Sequence, residues 1–186
     1  MRKQNIGIVI GSLRKDSFSR ALANFFVASS TSDAAFHIVE IDQLSMYNQD
    51  LDNNPPATWV KFREDVRALD GVLFITPEHN RSFPAALKNA LDIASRPYGA
   101  SVWNGKPGGV VSVSPGALGG FGANHHLRQV LTFLNVLTLQ QPEAYVGNVM
   151  ASLDAHGAVS DDGLKNFLKQ FQDALVQWVS LVNAGK

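Results

Sequence analysis

Three stretches of this chain concentrate side chains able to hold or orient a ligand. The first reads Gly11-Ser12-Leu13-Arg14-Lys15-Asp16-Ser17-Phe18-Ser19-Arg20 and passes from a short apolar run into a segment with helical spacing. The opening turn of a helix leaves N–H groups free and presents the positive end of the dipole, so an anion is favoured there. The hydroxyls of Ser12, Ser17 and Ser19 and the forked guanidinium of Arg14 suit the oxygens of a phosphate monoester. A cap at Asp16 or Ser17 alone would explain a serine-rich turn; Arg14 adds the reason to expect a bound anion.

The second stretch, Thr76-Pro77-Glu78-His79-Asn80-Arg81-Ser82-Phe83-Pro84, has a proline near each end. Pro77 stiffens the turn, and Pro84 is expected at the first position of a helix. Such a loop offers backbone amides and the Asn80 side chain to the edge of a planar heterocycle. The third, Ser114 to Asn124, contains Gly116, Gly119, Gly120 and Gly122, which let backbone approach a ligand closely or simply permit tight turns. Neither a Walker loop nor a dinucleotide Gly-x-Gly-x-x-Gly follows the first strand, since Gly11 stands alone. The acidic residues of a phosphorylated receiver domain are also missing from the corresponding places.

Other reactive groups argue less. Cysteine is absent, so disulfides, thiolate metal sites, cysteine nucleophiles and dithiol redox chemistry are excluded, and any redox work needs a bound cofactor. His125 and His126 are adjacent and point about 100° apart on a helix, unlike the i, i+4 pair of a metal site. No metal ligand set and no catalytic side chain is assigned. His79 either delivers a proton near the ligand or packs and bonds at an interface. Glu78 is expected to bond backbone amides rather than act as a general base. Tyr47 and Trp59 either line a planar substrate pocket or, as helical spacing suggests for Trp59, belong to the core.

The elements that must position these loops follow from the hydrophobic pattern. Ile6–Ile10, Phe36–Ile41, Val72–Ile75 and Val110–Val113 read as strands, with a fifth within Val136–Gln140. The first, third and fourth are apolar on successive residues, as expected of parallel strands covered on both faces. Helical stripes lie between them: Phe18, Leu22, Phe25 and Phe26; Trp59, Phe62, Val66 and Leu69; Leu87, Ala90, Leu91 and Ala94; Leu127, Val130, Leu131 and Leu134. A last helix runs from Leu164 to Val182. This alternation predicts an α/β three-layer sandwich with a five-stranded parallel sheet and helices on both faces, and the usual order of such a sheet with five βα units is 2-1-3-4-5. In that order the three loops meet at the carboxyl ends of neighbouring strands, where open α/β sheets bind ligands.

The 186 residues are expected to form a single domain over 1–186, being 45% hydrophobic and only 17% charged. With 16 basic and 16 acidic residues the net charge is zero, so neither nucleic acid nor a membrane surface is an expected partner. The apolar run after the amino terminus is too short for a signal-peptide core, and no run approaches a membrane span, so a cytoplasmic location is expected.

Taken together, Gly-Ser-Leu-Arg-x-x-Ser-x-Ser, Pro-Glu-x-Asn, Leu87-Lys88-Asn89-Ala90-Leu91-Asp92 and Ser-x-Gly-x-x-Gly-Gly resemble the NAD(P)H-dependent FMN reductase family, closest to its bacterial quinone, azo-dye and chromate reductases. Tyr47-Asn48-Gln49-Asp50 and His126-Leu127-Arg128-Gln129 fit the same order. The resemblance implies a flavodoxin-like domain holding FMN noncovalently. Ser12, Arg14, Ser17 and Ser19 would surround its phosphate, Leu13 and Phe18 line the loop, Pro77, Glu78, His79 and Asn80 run along the isoalloxazine, and Ser114 contact it from the third loop. It further implies NADPH or NADH as co-substrate, ping-pong electron transfer to quinones, azo dyes, chromate or free flavin, and a homodimer or homotetramer with the pocket near a subunit interface. Relatives usually carry tyrosine at positions 79 and 125 and often asparagine at 19, where this chain has His79, His125 and Ser19. The alternative is a non-enzymatic electron carrier of flavodoxin type, against which Arg14 and the neutral net charge argue. Arg14, Lys15, Arg20 and Arg81 each either meet a 2′-phosphate or face solvent, so the sequence leaves the choice of nicotinamide open.

Overall fold

The computed structural model describes residues 2–185, so the two end positions of the domain expected over 1–186 lie outside the described residues. Strands β1 (Gln4–Ile10), β2 (Ala34–Val39), β3 (Gly71–Thr76) and β4 (Pro107–Val113) form a parallel sheet. Helices α1 (Phe18–Ala28), α2 (Ala57–Arg67), α3 (Ala85–Ala94), α4 (Phe121–Phe133) and α5 (Asp162–Ala184) connect and cover it. The fifth position is split: β5 (Leu137–Thr138) pairs with Pro107 and Gly108, and β6 (Ala144–Val146) continues along Val111 to Val113. The order is β2-β1-β3-β4-β5, with β6 also on β4. Five strand positions are thus filled by six segments. The second half of the last position escaped the sequence reading because its Ala-Tyr-Val run is only three residues long.

Successive residues of a strand point to opposite faces, and the core divides accordingly. Ile6, Ile8, Ile10, Leu73, Ile75, Val111 and Val113 pack against Leu22 and Phe26 of α1 and Leu168, Phe171, Leu175 and Val179 of α5. Val9, Val72, Phe74 and Val110 face Trp59, Phe62 and Val66 of α2, Leu87 and Leu91 of α3, and Leu127 and Leu131 of α4. Burial on both faces explains why these strands lack polar alternation. Trp59 is fully buried, with its indole N–H donating to Ser45 Oγ at 3.1 Å. It is a core residue and lines no substrate pocket.

Several expected boundaries shift by a residue or a turn. Leu69 lies just past α2, whose C-cap is Ala68, and is buried from that position. Pro84 is the N-cap of α3 rather than its first residue. The last four residues of the Ser114–Asn124 stretch are already helical. Among the described residues no helix is long and apolar enough to cross a membrane.

Candidate functional site

The ends of β1, β3 and β4, neighbours in the sheet, carry the three loops. Ser17 caps α1: it has extended backbone angles, and its Oγ accepts a bond from the Arg20 N–H at 3.1 Å. That satisfies one of the free donors of the first turn and leaves the helix start oriented toward the loop. Ser12 Oγ accepts from the Arg14 N–H at 3.3 Å, which folds the loop back on itself. The Arg14 guanidinium lies 5.6 Å from the centre of the Phe18 ring. Among the described residues no carboxylate neutralises it, and its side chain is exposed, as is Leu13.

Ser19 differs from its neighbours. It is 1% exposed, and its Oγ has no hydrogen-bond partner among the described residues. A buried hydroxyl left unpaired costs about 1–3 kcal/mol. Such a group beside a helix start with a free arginine is what a phosphate ester would satisfy, so the residues present fit that group.

The second loop is more constrained than its prolines alone require. His79 and Ser82 exchange backbone hydrogen bonds, 2.8 Å in one direction and 2.9 Å in the other. Between them Asn80 and Arg81 take φ of 51° and 67°. Two successive positive φ values are those of a type I′ hairpin turn, which holds the exposed Asn80 side chain at its tip. Thr76 Oγ1 donates to the Pro77 carbonyl at 2.8 Å. The His79 imidazole is exposed while its backbone carries the turn.

Glu78 ties the second loop to the third. Its Oε2 accepts the Ala123 N–H at 3.1 Å, and its Oε1 accepts from Arg81 at 3.2 Å. The N-cap of α4 is Gly120, which has no side chain to offer, so a carboxylate from another loop serves its positive end. The expectation that Glu78 bonds backbone amides is met. Glu78→Ala is expected to cost about 1 kcal/mol, the worth of a cap, and to lower the melting temperature by roughly 2–4 °C, measurable by thermal denaturation.

The third loop is laced to β6 and the turn after it. The Ser114 N–H donates to Val146 O at 2.9 Å, and Ser114 Oγ accepts the Gly116 N–H at 3.0 Å. Asn148 N–H donates to Gly116 O at 3.2 Å. Half-buried Ser114 keeps its hydroxyl proton for a partner outside the loop. Below it, fully buried Asn124 donates to Ser112 Oγ at 3.2 Å and accepts from Arg128 at 2.9 Å.

The two histidines of α4 turn to different partners, as their spacing requires. His126 Nδ1 is 2.8 Å from Ser82 Oγ, a further link from α4 to the second loop. His125 Nε2 is 2.9 Å from the Tyr145 hydroxyl, with the Phe121 ring tilted against the His125 ring at a centroid distance of 4.2 Å. Burial, then hydrogen bonding to Glu143 and its charge, pushes the Tyr145 phenol up to about 12, so it remains a donor across the neutral range. The Ser82–His126 and His125–Tyr145 links were not legible beforehand, because neither pair shares a local motif.

Tyr47 sits farther out. Its backbone N–H donates to Asn89 Oδ1 at 2.8 Å, and Asn89 Nδ2 donates to Ser45 O at 3.0 Å. A buried asparagine on α3 therefore pins the segment after β2, which explains the Lys88-Asn89-Ala90 signature structurally. A cavity of about 580 Å³ between β2 and α2 contains none of these loop residues. Another, of about 500 Å³, meets the first loop at Ser12 and Leu13.

Comparison with known proteins gives the family. The family model for NADPH-dependent FMN reductase matches residues 4–151. A quinone reductase of Pseudomonas putida is 50% identical over 181 residues, covering 97% of both chains. A 2-hydroxy-1,4-benzoquinone reductase of a Burkholderia species is 42% identical over 174 residues, 94% of this chain and 95% of the relative. The structure of FerB, a flavoenzyme NAD(P)H:(acceptor) oxidoreductase from Paracoccus denitrificans, superposes with a TM-score of 0.89 at 36% identity, covering 95% and 97% of the two chains. With the family model matched over residues 4–151 and relatives matched along nearly the whole length, the chain belongs to the NADPH-dependent FMN reductase family.

Proposed function

We propose that this chain is an FMN-dependent NAD(P)H oxidoreductase that delivers electrons to quinones and similar electron-poor acceptors. The observation that carries the reading is the first loop: an arginine without a carboxylate partner and an unpaired buried Ser19 hydroxyl flank the capped start of α1. Ser12, Arg14, Ser17 and Ser19 hold the phosphate of FMN, with Leu13 and Phe18 walling the loop. Pro77, Glu78, His79 and Asn80 run along the ring system, and Ser114 meets it from the third loop.

When bound, FMN supplies hydride acceptance and two-electron donation; the protein supplies binding, orientation and electrostatics. Backbone N–H groups of the second and third loops that face the ring would stabilise negative charge developing on it. Nicotinamide and acceptor then use the same exposed face in turn, a ping-pong order. Azo dyes, chromate and free flavin are expected among the acceptors, because a shallow face imposes little shape selection.

The test is direct. The purified protein should be yellow, or become so with FMN, and NADH or NADPH should bleach it until a benzoquinone restores the colour. A protein that takes up no flavin, or whose bound flavin neither nucleotide reduces, defeats the reading.

Copies of the chain pair through α3 and α4. A groove of about 530 Å³ lies between these helices, and Phe133 on its wall is 89% exposed, with Tyr98 nearby at 93%. Aromatic side chains this bare are a large unburied apolar area. Phe133→Glu is expected to convert a dimer or tetramer into a smaller species by light scattering, without loss of secondary structure. A wild-type protein that is monomeric at all concentrations overturns the assignment.

A further inference from the structure

The cavity of about 500 Å³ beside the first loop has a wall that the FMN site does not use. It lies on the β2 side of that loop, between the ends of β1 and β2, and its charged residues are Lys15, Arg20, Glu40 and Asp42. The flavin ring assigned to Pro77–Asn80 lies on the other side, toward β3 and β4. Adjacent strands are about 4.8 Å apart, so the separation is two to three spacings, within reach of an extended dinucleotide.

The charges in this cavity bear on which dinucleotide. Of the four cations that the sequence offered to a 2′-phosphate, Arg20 is clamped by both oxygens of Glu40, at 3.0 and 2.9 Å. Arg81 is paired with Glu78 at 3.2 Å, and Arg14 serves the FMN phosphate. Lys15 remains, exposed and without an ion pair among the described residues. Against it stand two carboxylates. Asp42 accepts a bond only at Oδ2, from Gln43 at 3.0 Å, among the described residues. Carboxylates are the groups that read a ribose diol, whereas a 2′-phosphate calls for an uncommitted arginine. Glu40 also keeps lone pairs beyond those that Arg20 uses.

We infer that this cavity receives the adenosine ribose of the nicotinamide co-substrate, with Asp42 and Glu40 accepting its hydroxyl protons, and that the enzyme therefore prefers NADH to NADPH. The inference rests on the oxidoreductase reading above, and its test separates the two. With the FMN-loaded protein, anaerobic flavin reduction should be about tenfold more efficient with NADH at subsaturating concentration, since no uncommitted arginine meets a 2′-phosphate and the unpaired carboxylate of Asp42 stands beside it. Glu40→Gln frees Arg20, and Asp42→Asn removes the second repulsive charge; the double variant should shift the ratio at least about fivefold toward NADPH. Calorimetric titration with ADP-ribose and with 2′-phospho-ADP-ribose gives a readout independent of turnover: the first should bind more tightly, and the variants should narrow the difference. Flavin bleached with a ratio unmoved by the substitutions, or equal binding of the two fragments, overturns the ribose site and leaves the oxidoreductase intact. Flavin bleached by neither nucleotide overturns the oxidoreductase reading itself.

Discussion

Gly119→Ala is expected to unfold at markedly lower temperature than the wild type. Gly119 has φ of +59°, and a Cβ built on it would lie 2.6 Å from the carbonyl carbon of Tyr145 and 2.9 Å from its oxygen. The left-handed conformation costs a residue with a side chain roughly 1–2 kcal/mol, and overpacking adds about 1–3 kcal/mol. The obstacle is backbone, which cannot rotate away as a flexible side chain would. The opposing segment just after β6 is equally tight, because a Cβ on Gly147 would lie 2.4 Å from Ala117 O. A loss near 3 kcal/mol corresponds to roughly 6–12 °C in a chain of this size. Gly116→Ala is the control: a Cβ there meets only Ser114 Oγ, at 3.5 Å. Thermal melts that place both variants within about a degree of the wild type would show that the third loop is not seated against β6. Flavin affinity should fall with Gly119→Ala as well, since the displaced loop carries Ser114.

Arg14→Ala is expected to weaken FMN binding by about 1.5–3 kcal/mol, the worth of hydrogen bonds to a charged group. That corresponds to roughly 10- to 150-fold in the dissociation constant, measured by fluorescence titration of the free flavin. Folding stability should stay near wild type, because Arg14 is exposed and makes no ion pair among the described residues. The loss should shrink as salt is raised, since a solvent-exposed charge is screened. Ser19→Ala is the companion variant. Its hydroxyl is buried without a partner, so its removal should leave the flavin-free protein as stable as before or slightly more so, while still weakening FMN binding. Unchanged flavin affinity in both variants would place the phosphate elsewhere.

Much of the site was legible because its determinants are local. A helix cap depends on a residue and its neighbours three positions on, so a cap at Asp16 or Ser17 follows from the order Asp16-Ser17-Phe18-Ser19-Arg20, and the structure puts it at Ser17. The layers followed from continuous apolar runs alternating with helical stripes, and the strand order from the usual arrangement of a doubly wound sheet with five such units. The type I′ turn was less visible, because Asn80-Arg81 lacks the glycine that usually marks positive φ. The split fifth strand was missed for a related reason: it is held by pairing with β4 rather than by its own short run of apolar residues.

The amino-acid order alone thus determined the layers and the places of the three polar loops at the strand ends, since hydrophobic period and turn chemistry act over a few residues. Tertiary structure decided which charges are free. Arg20 meets Glu40 across 20 residues, and Glu78 reaches Ala123 across 45. Ion pairing and hydrogen bonding depend on distance in space, and only the folded sheet brings those partners within a few ångströms. It leaves Arg14 without a carboxylate among the described residues, commits Arg20 and Arg81 to carboxylates, and sets Asp42 in the lining of a second cavity.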